Sequence, residues 1–414
     1  MNPPVPAPQQ VRGTVLDGAR QYARLRRAII GLPLPLAIVD LDMLEANAQA
    51  MLARADPLPI RLGSKSIRCV EIMRRMQQLS PRFRGLLCYS AREAAWLASN
   101  GFDDLLVAYP TVDRTDLDAV AQALKEGTRV TLMVDDTAQL GPIVASARAR
   151  GVVFRLAIDL DMSSTFGPLH FGVRRSPVTT PEQAVALARR IAAAPDALRL
   201  VGLMGYEAQI AGLQDDVPGY ALRNVFLRWL KQRSVRELTA RRVATVNALR
   251  IAGFDLEFVN GGGTGSLETT AEDSAVTETA AGSGLYAPVL FDHFHAFRHT
   301  PALFFALQVV RHPAQGIVTC AGGGYVASGP AGVDRLPIPV LPEGAVLLPD
   351  EGAGEVQTPV RLPPHVDVAV GEPLFFRHAK AGELAERFER FFLMRAGSIV
   401  GEVPTYRGEG QCFF

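Results

Sequence analysis

The feature that most constrains the fold is a regular alternation of short apolar runs with longer segments of helical period. Segments such as REAAWLASNG have that period, and Gly101 stands where the end of a helix is expected. Because eight repeated strand–helix units close on themselves more readily than they form an open sheet, we predict an α/β fold, a (β/α)₈ TIM barrel. After an introductory run at Leu36, the eight runs begin at Ile60, Leu86, Leu105, Val130, Val153, Leu200, Asp255 and Ala275.

The pattern changes after about residue 290. Helical period is mostly lost there, and prolines and strand-like runs such as VDVAV and LFFRHAK take its place. We therefore predict a lead-in over residues 1–30 that packs on the C-terminal domain, a barrel over residues 31–290, and a mainly-β domain over residues 291–414. The first dozen residues are rich in Pro and Gln and are expected to be flexible.

Composition excludes several classes of partner. The 43 Lys and Arg residues balance 42 Asp and Glu residues, so no strong field attracts nucleic acid. No apolar run reaches the roughly 20 residues that a membrane-spanning helix needs. The four cysteines have no metal-binding spacing, and no secretory leader is recognisable, so we expect a reduced, cytoplasmic setting and a small-molecule substrate.

Reactive residues collect directly after the apolar runs. In a barrel these positions lie at the carboxyl ends of the strands, where active sites of this architecture are found. Polar residues follow strands in any α/β protein, but their number here predicts an active site on this face. They are Lys65, Tyr89, Tyr109, Asp135, Asp136, Asp159, Asp161, Tyr206 and Glu207.

Two glycine-rich loops follow the seventh and eighth runs. Residues 260–266 read NGGGTGS, and residues 281–286 read AGSGLY. Glycines let the backbone approach an anion and point N–H groups at it, and barrels commonly hold phosphate between these two loops. Lys65 follows the first run in RLGSKS, where its amine could enter the same pocket.

The segments LAIVDLDMLEANA, GSKS, GGGTGS and GSGLY together resemble the fold-type III pyridoxal phosphate (PLP) enzymes, the alanine racemase N-terminal-domain superfamily. The resemblance is strongest to the branch of D-threonine aldolases, D-serine dehydratases and related amino-acid deaminases. It implies a homodimer in which Lys65 carries PLP as a Schiff base. The further cofactor contacts that it implies are Gly263, Thr264, Gly265, Gly282, Ser283 and Tyr286 in the loops, and Arg155, Tyr206 and Gln209 around the ring.

In that branch a His-x-Cys pair late in the chain binds a divalent metal that holds the substrate's β-hydroxyl. Here His378 matches the histidine, but Lys380 stands at the cysteine position, and an ammonium group cannot replace a thiolate ligand. Either the Lys380 ammonium takes the place of the metal, which we prefer, or Glu383 joins His378 in a rearranged metal site. His378 is also the candidate general acid or base, because the ordinary histidine pKa near 6.5 suits proton transfer around neutrality.

The resemblance implies a PLP-dependent lyase that acts on a D- or β-hydroxy amino acid by retro-aldol cleavage or dehydration. The catalytic residues expected are Lys65, His378 and Lys380, and Arg174 or Arg175 could bind a substrate carboxylate. A PLP-dependent racemase is the alternative. Racemisation needs a second base opposite the lysine, for which the chain offers Tyr325 or Tyr406. A non-catalytic PLP-binding protein is a third possibility, which the extra domain disfavours.

Overall fold

A closed barrel of eight parallel strands forms the centre of the protein, in a computed structural model that describes residues 18–413. Strands and helices are numbered in chain order. All eight predicted runs form barrel strands, which confirms the predicted (β/α)₈ architecture. The barrel strands, in chain order, are β2 (Ile60–Gly63), β3 (Phe83–Cys88), β4 (Leu105–Val107), β5 (Val130–Val134), β6 (Phe154–Asp159), β9 (Leu198–Gly205), β10 (Phe258–Gly261) and β11 (Glu278–Ala281). Strand β11 pairs with β2 and closes the ring.

Helices cover the outside of the barrel, and their ends follow local sequence signals. Ser90 caps one helix by accepting a hydrogen bond from the Glu93 N–H. Thr180 and Gln183 form a capping box in front of another, which has a proline in its first turn. The helices of this region are α2 (Leu41–Arg54), α3 (Val70–Leu79), α4 (Ala91–Ser99), α5 (Arg114–Lys125), α6 (Leu140–Arg150), α7 (Pro181–Ala192), α8 (Ala208–Ala211), α9 (Ala221–Ile251), α10 (Leu267–Ala271) and α11 (Ser283–Tyr286).

A small hairpin interrupts the barrel pattern after β6. Its strands are β7 (Ser164–Phe166) and β8 (Leu169–Phe171), which pair antiparallel. The chain then runs through residues 172–180 before α7 begins, so Arg174 and Arg175 lie on the carboxyl-end side of the barrel. Among residues 18–413, no helix is long and apolar enough to cross a membrane.

The second domain is a nine-stranded, mainly antiparallel sheet. Its strands run in the order β15–β16–β13–β12–β1–β18–β19, and β17 pairs with β12 and with β14. The strands are β1 (Leu36–Asp40), β12 (Leu303–Ala314), β13 (Ile317–Ala321), β14 (Ile338–Leu341), β15 (Val346–Leu347), β16 (Gln357–Arg361), β17 (Pro373–Arg377), β18 (Arg390–Arg395) and β19 (Ser398–Pro404).

Strand β1 belongs to this second sheet, although the predicted barrel region of residues 31–290 included it. It pairs antiparallel with β12 and parallel with β18, and all five of its residues are buried. Helix α1 (Gly18–Ala28) packs on the same sheet through Leu25, and the Tyr22 hydroxyl donates to the Pro373 carbonyl at 3.0 Å. This part of the lead-in therefore lies against the second sheet. The flexible first dozen residues of the prediction lie outside the described part.

The second domain reaches the barrel mouth within the same chain. The carbonyl oxygens of His378 and Ala379 accept hydrogen bonds from Val289 and Leu290 N–H at 3.1 and 3.0 Å. Gly382 lies against the backbone of Lys65 so closely that a Cβ added there would be 1.8 Å from the Lys65 oxygen. The segment that carries His378 and Lys380 is therefore beside the Lys65 turn.

Candidate active site

Lys65 stands in a short turn, Ser64–Ser66, directly after the first barrel strand. Two hydrogen bonds hold the turn: the Ser64 hydroxyl donates to the Leu87 carbonyl at 3.0 Å, and Arg68 Nε donates to the Lys65 carbonyl at 3.1 Å. The lysine side chain is exposed, and its Nζ donates to the Tyr109 hydroxyl at 3.4 Å. A rigid turn therefore presents a primary amine at the mouth of the barrel.

A guanidinium, two phenols and a carboxyl group gather at the same mouth. The Arg175 guanidinium lies 5.7 Å from the ring centroid of Tyr109 and 5.7 Å from that of Tyr206. Burial raises the pKa of Tyr206 to about 12, so this phenol stays protonated near neutrality. Burial and the charge of Asp135 raise the pKa of Asp159 to about 7. The mouth thus holds a carboxyl group that exchanges a proton near neutral pH.

The two glycine-rich loops meet beside the Lys65 turn. Gly284 N–H donates to the Thr264 hydroxyl oxygen at 3.0 Å, which joins the loops directly. The hydroxyl oxygens of Ser66 and Ser283 are 3.0 Å apart. Within residues 18–413, the backbone N–H groups of Gly265 and Ser283 have no hydrogen-bond partner. Hydroxyls and free amides of this kind can bind the oxygens of a phosphate group.

Close packing explains why these loops need glycine. A Cβ at Gly265 would lie 2.3 Å from the Ala211 carbonyl oxygen, and one at Gly282 would lie 2.6 Å from the Gly63 oxygen. A Cβ at Gly263 would lie 2.8 Å from the Ala211 Cβ. Only residues without a side chain allow the backbones to approach this closely, and the residues present fit a cofactor that carries a phosphate beside a reactive lysine.

A buried ionic network holds the first glycine loop in place. Glu207 accepts hydrogen bonds from Gly262 N–H and from the Thr270 hydroxyl, each at 2.8 Å. Arg242, which is 2% exposed, pairs with Glu207 at 3.2 Å and with Asp273. Arg242, Thr270 and Asp273 were not among the residues predicted from the sequence. An arginine on the buried side of a long helix was the signal that could have indicated such a network.

A pocket of about 440 Å³ lies beside the Lys65 turn and opens between the barrel and the second domain. His378 lines it and is 2% exposed, and within the described part of the chain neither ring nitrogen has a hydrogen-bond partner. Lys380 Nζ donates to the Ser328 hydroxyl at 2.8 Å and lies 3.2 Å from Glu383 Oε1. Glu383 also accepts from Ser328 N–H at 2.7 Å.

Comparison with known protein families shows the family to which the chain belongs. The sequence model of the alanine racemase N-terminal domain matches residues 39–288. The chain belongs to the alanine racemase N-terminal domain family. This confirms the predicted resemblance, and membership of the family implies PLP as the cofactor.

Individual relatives of this family member are aldolases and dehydratases by name. A 3-hydroxy-D-aspartate aldolase from Paracoccus denitrificans (strain Pd 1222) is 27% identical over 263 residues, which cover 63% of this chain and 62% of the relative. A D-threonine aldolase from Arthrobacter sp. is 26% identical over 292 residues, covering 68% of this chain and 69% of the relative. The match to the Paracoccus enzyme thus spans less than two thirds of its length.

Solved structures show the same fold as this family member. The crystal structure of D-threonine aldolase from Filomicrobium marinum has a TM-score of 0.76 at 22% identity, covering 92% of this chain and 96% of that one. D-threo-3-hydroxyaspartate dehydratase from Delftia sp. HT23 has a TM-score of 0.73 at 22% identity, covering 91% and 98%. Barrel and second domain are therefore both present in these neighbours.

One predicted cofactor contact of this family member was wrong, and a second has a structural role. Arg155 is the second residue of β6, so it lies at the amino end of the barrel, where it pairs with Glu257. It is on the opposite face from Lys65 and cannot contact a ring held there. Tyr286 is fully buried, and its hydroxyl donates to the Ile67 carbonyl at 3.1 Å. This hydrogen bond stabilises the chain just after the Lys65 turn, and contact of Tyr286 with the cofactor stays a prediction.

Two other predicted contacts have structural roles. The Gln209 amide donates to the Met162 carbonyl at 2.6 Å and to the Ser234 hydroxyl at 3.0 Å, so its nitrogen holds the loop after β6. The Thr264 hydroxyl joins the two glycine loops. Tyr206 lies against Gly263, with a Cβ built there 3.1 Å from its ring. Contact of Tyr206, Gln209 and Thr264 with the cofactor stays a prediction.

The pocket residues also bear on the prediction for proton transfer. Burial, with a smaller contribution from the Arg377 charge, lowers the pKa of His378 to about 3. The role of His378 as a general acid or base stays a prediction. Tyr406 is fully buried and donates to Glu93 at 2.8 Å, so it is not free to serve as an opposing base.

The residues at the predicted metal position do not fit a metal. Glu383 is engaged with Ser328 and Lys380, so joining His378 in a rearranged site would require it to break these contacts. Nowhere in residues 18–413 do three or more His, Cys, Asp or Glu side chains form a group that could hold a metal ion. The Lys380 ammonium occupies the cysteine position but is itself paired with a carboxylate.

Proposed function

We propose that the protein is a PLP-dependent lyase acting on a D- or β-hydroxy amino acid by retro-aldol cleavage or dehydration. The observation that carries this proposal is the position of Lys65, whose amine is presented at the barrel mouth beside two glycine loops, the second of which contacts the Lys65 turn through Ser283 and Ser66. The relatives named as D-threonine aldolase, 3-hydroxy-D-aspartate aldolase and D-threo-3-hydroxyaspartate dehydratase support this reaction class.

Bound PLP would withdraw electrons from the substrate's Cα, so that a bond near that carbon can break. The chain's own residues supply the attachment and the proton transfer. Lys65 attaches the cofactor through Nζ, and the free amides and hydroxyls of the two loops bind the phosphate. Asp159 is suited to accept or donate a proton near neutrality, because its pKa is about 7.

Arg175 is the candidate for binding the substrate carboxylate. Its guanidinium lies beside both phenols of the mouth and near enough to Asp159 to lower the pKa of that carboxyl. A guanidinium binds a carboxylate through two parallel hydrogen bonds, which would fix the orientation of the substrate over Lys65. Arg174 and Arg175 are both exposed, but Arg174 has no such contact with a phenol ring within residues 18–413.

The experiment is to give the purified protein D-threonine, 3-hydroxy-D-aspartate, D-serine and D-alanine separately. Acetaldehyde from D-threonine or glyoxylate from 3-hydroxy-D-aspartate shows retro-aldol cleavage, whereas a 2-oxo acid with ammonia shows dehydration. Conversion of D-alanine to L-alanine alone would show the racemase, for which Tyr325 remains as a possible second base. Binding of PLP without turnover of any substrate would show a non-catalytic carrier.

The attachment of the cofactor has its own test. Lys65→Ala is expected to lose the visible absorbance of the lysine-bound cofactor and the peptide labelled by borohydride reduction. Lys125→Ala is the matched control, because Lys125 is an exposed lysine at the end of α5. A borohydride-labelled peptide that survives in Lys65→Ala would refute the assignment of Lys65.

We also propose a homodimer in the cytoplasm. Cys69, Cys88 and Cys320 are buried free thiols, which agrees with a reducing compartment. Sedimentation equilibrium would measure the oligomeric state, and fractionation of expressing cells would measure the location. A monomer at micromolar concentration would refute the dimer.

A further inference from the structure

The pocket beside the Lys65 turn carries more positive than negative charge. Four cationic side chains line it, Arg68, Lys380, Arg387 and Arg407, together with two carboxylates. Arg68 pairs with Glu386 at 2.6 Å, and Lys380 pairs with Glu383. Each of the two carboxylates is therefore paired with one cation, and two of the four cationic side chains have no carboxylate partner in the pocket.

The remaining charges belong to Arg387 and Arg407. Both side chains are exposed, and neither forms a salt bridge or a side-chain hydrogen bond with another part of residues 18–413. A guanidinium presents donors in a fork that matches the two oxygens of a carboxylate. Two such groups lining one pocket favour an anion and repel a divalent cation.

His378 adds a hydrogen-bonding group to the same pocket. It is 2% exposed, and both ring nitrogens lack a partner within the described structure. A buried polar group without a partner has a free-energy cost that a bound ligand would remove. An imidazole ring carries at least one N–H donor, so His378 can complete the binding of a ligand oxygen.

The backbone beside the pocket is continuous with the Lys65 turn. Arg68 Nε donates to the Lys65 carbonyl at 3.1 Å, and its guanidinium lies 5.1 Å from the ring centroid of Tyr89, another lining residue. The pocket volume of about 440 Å³ is in the range of small-molecule sites. A small organic anion therefore has room next to the reactive lysine.

We propose that this pocket binds a small carboxylate anion, held by Arg387, Arg407 and His378, at the position where relatives of the aldolase branch would bind a divalent metal. The carboxylate is either the side-chain carboxylate of an acidic amino-acid substrate or a free carboxylic acid. Both sources share the same recognition by guanidinium groups. The proposal concerns binding alone, so it can hold or fail whether or not the lyase reaction is correct.

Calorimetric titration of the purified protein with succinate tests this site. We expect one succinate per chain, and about tenfold weaker binding for each of Arg387→Ala and Arg407→Ala, because a charge-assisted hydrogen bond contributes about 1.5 kcal/mol or more. Both arginines are exposed, so the variants should fold. Arg189→Ala is the matched control, since Arg189 is an exposed arginine on α7 that forms no ion pair with residues 18–413, and it should bind succinate like the unmodified protein.

Competition separates the two sources of carboxylate. Displacement of succinate by D-aspartate but not by D-alanine assigns the pocket to a substrate side chain, whereas displacement by neither assigns it to a free acid. Titration with Zn²⁺ and with Mn²⁺ is the opposing measurement. The proposal is overturned if succinate does not bind, if the arginine variants bind it unchanged, or if a metal binds one per chain and His378→Ala abolishes that binding.

Discussion

Replacement of Glu93 by glutamine should remove a pH-dependent loss of stability. Glu93 lies in α4, is fully buried, and accepts hydrogen bonds from Tyr89 N–H at 2.7 Å and from the Tyr406 hydroxyl at 2.8 Å. Burial raises the pKa of its carboxyl from the ordinary 4.5 to about 7, against the lowering effect of these hydrogen bonds. The folded protein therefore binds a proton at Glu93 that the unfolded chain has already released.

The direction in which stability changes with pH follows from this difference in pKa. Because the pKa is raised in the folded state, the stabilising contribution of Glu93 is fully present below pH 4.5 and is lost as the pH rises through about 7. A rise from 4.5 to about 7 corresponds to about 3 kcal/mol, since each tenfold change in proton affinity is worth about 1.4 kcal/mol. Glutamine does not titrate, and it can accept from Tyr89 and donate to the Tyr406 oxygen.

The assay is urea unfolding of the protein and of Glu93→Gln at a series of pH values between about 5 and about 8. For each rise of one pH unit, the free energy of unfolding of the variant should increase relative to that of the unmodified protein by up to about 1.4 kcal/mol. Glu351→Gln, at an exposed position, should follow the unmodified protein at every pH. If the free energies of unfolding of the protein and of Glu93→Gln changed equally with pH, the raised pKa of Glu93 would be refuted.

Three further changes test the packing around the site. Tyr286→Phe leaves the Ile67 carbonyl without its donor, which should lower the free energy of unfolding by about 1–3 kcal/mol in urea; an unchanged midpoint would contradict the buried hydrogen bond. Gly265→Ala places a Cβ 2.3 Å from the Ala211 oxygen, so we expect a cost of about 1–3 kcal/mol and weaker PLP binding by titration; normal binding would show that the loop can move aside. Arg242→Met leaves two buried carboxylates without a partner, and thermal unfolding should show a loss of about 3–5 kcal/mol, whereas a gain would show that the network is replaceable by apolar packing.

The barrel could be predicted because each strand is an apolar run that is buried on both faces, with helical segments between the runs. The sheet to which β1 belongs could not be predicted in this way. Its sequence LAIVD is as apolar as a barrel strand, and only its pairing with β12 and β18 places it in the other sheet. The partners of a strand in a distant part of the chain leave no trace in its own periodicity.

The site was partly predictable for a similar reason. Lys65 and the glycine loops follow their strands directly, so their face of the barrel could be inferred. Arg155 lies in an apolar run as well, but near its start instead of its end, which places it at the opposite end of the barrel from Lys65. The hydroxyl of Tyr286 finds Ile67, 219 positions away along the chain, which local spacing cannot reveal.

The place of β1 in the second sheet means that the barrel is topologically an insertion. The chain leaves the second domain after Asp40, completes the whole barrel, and returns at β12, so two covalent crossings join the two bodies. During synthesis β1 emerges early, yet its neighbour β18 is made only after the barrel is finished. The edges of β1 remain without partners in that interval, and the second domain becomes a cooperative unit only when nearly the entire chain has been released.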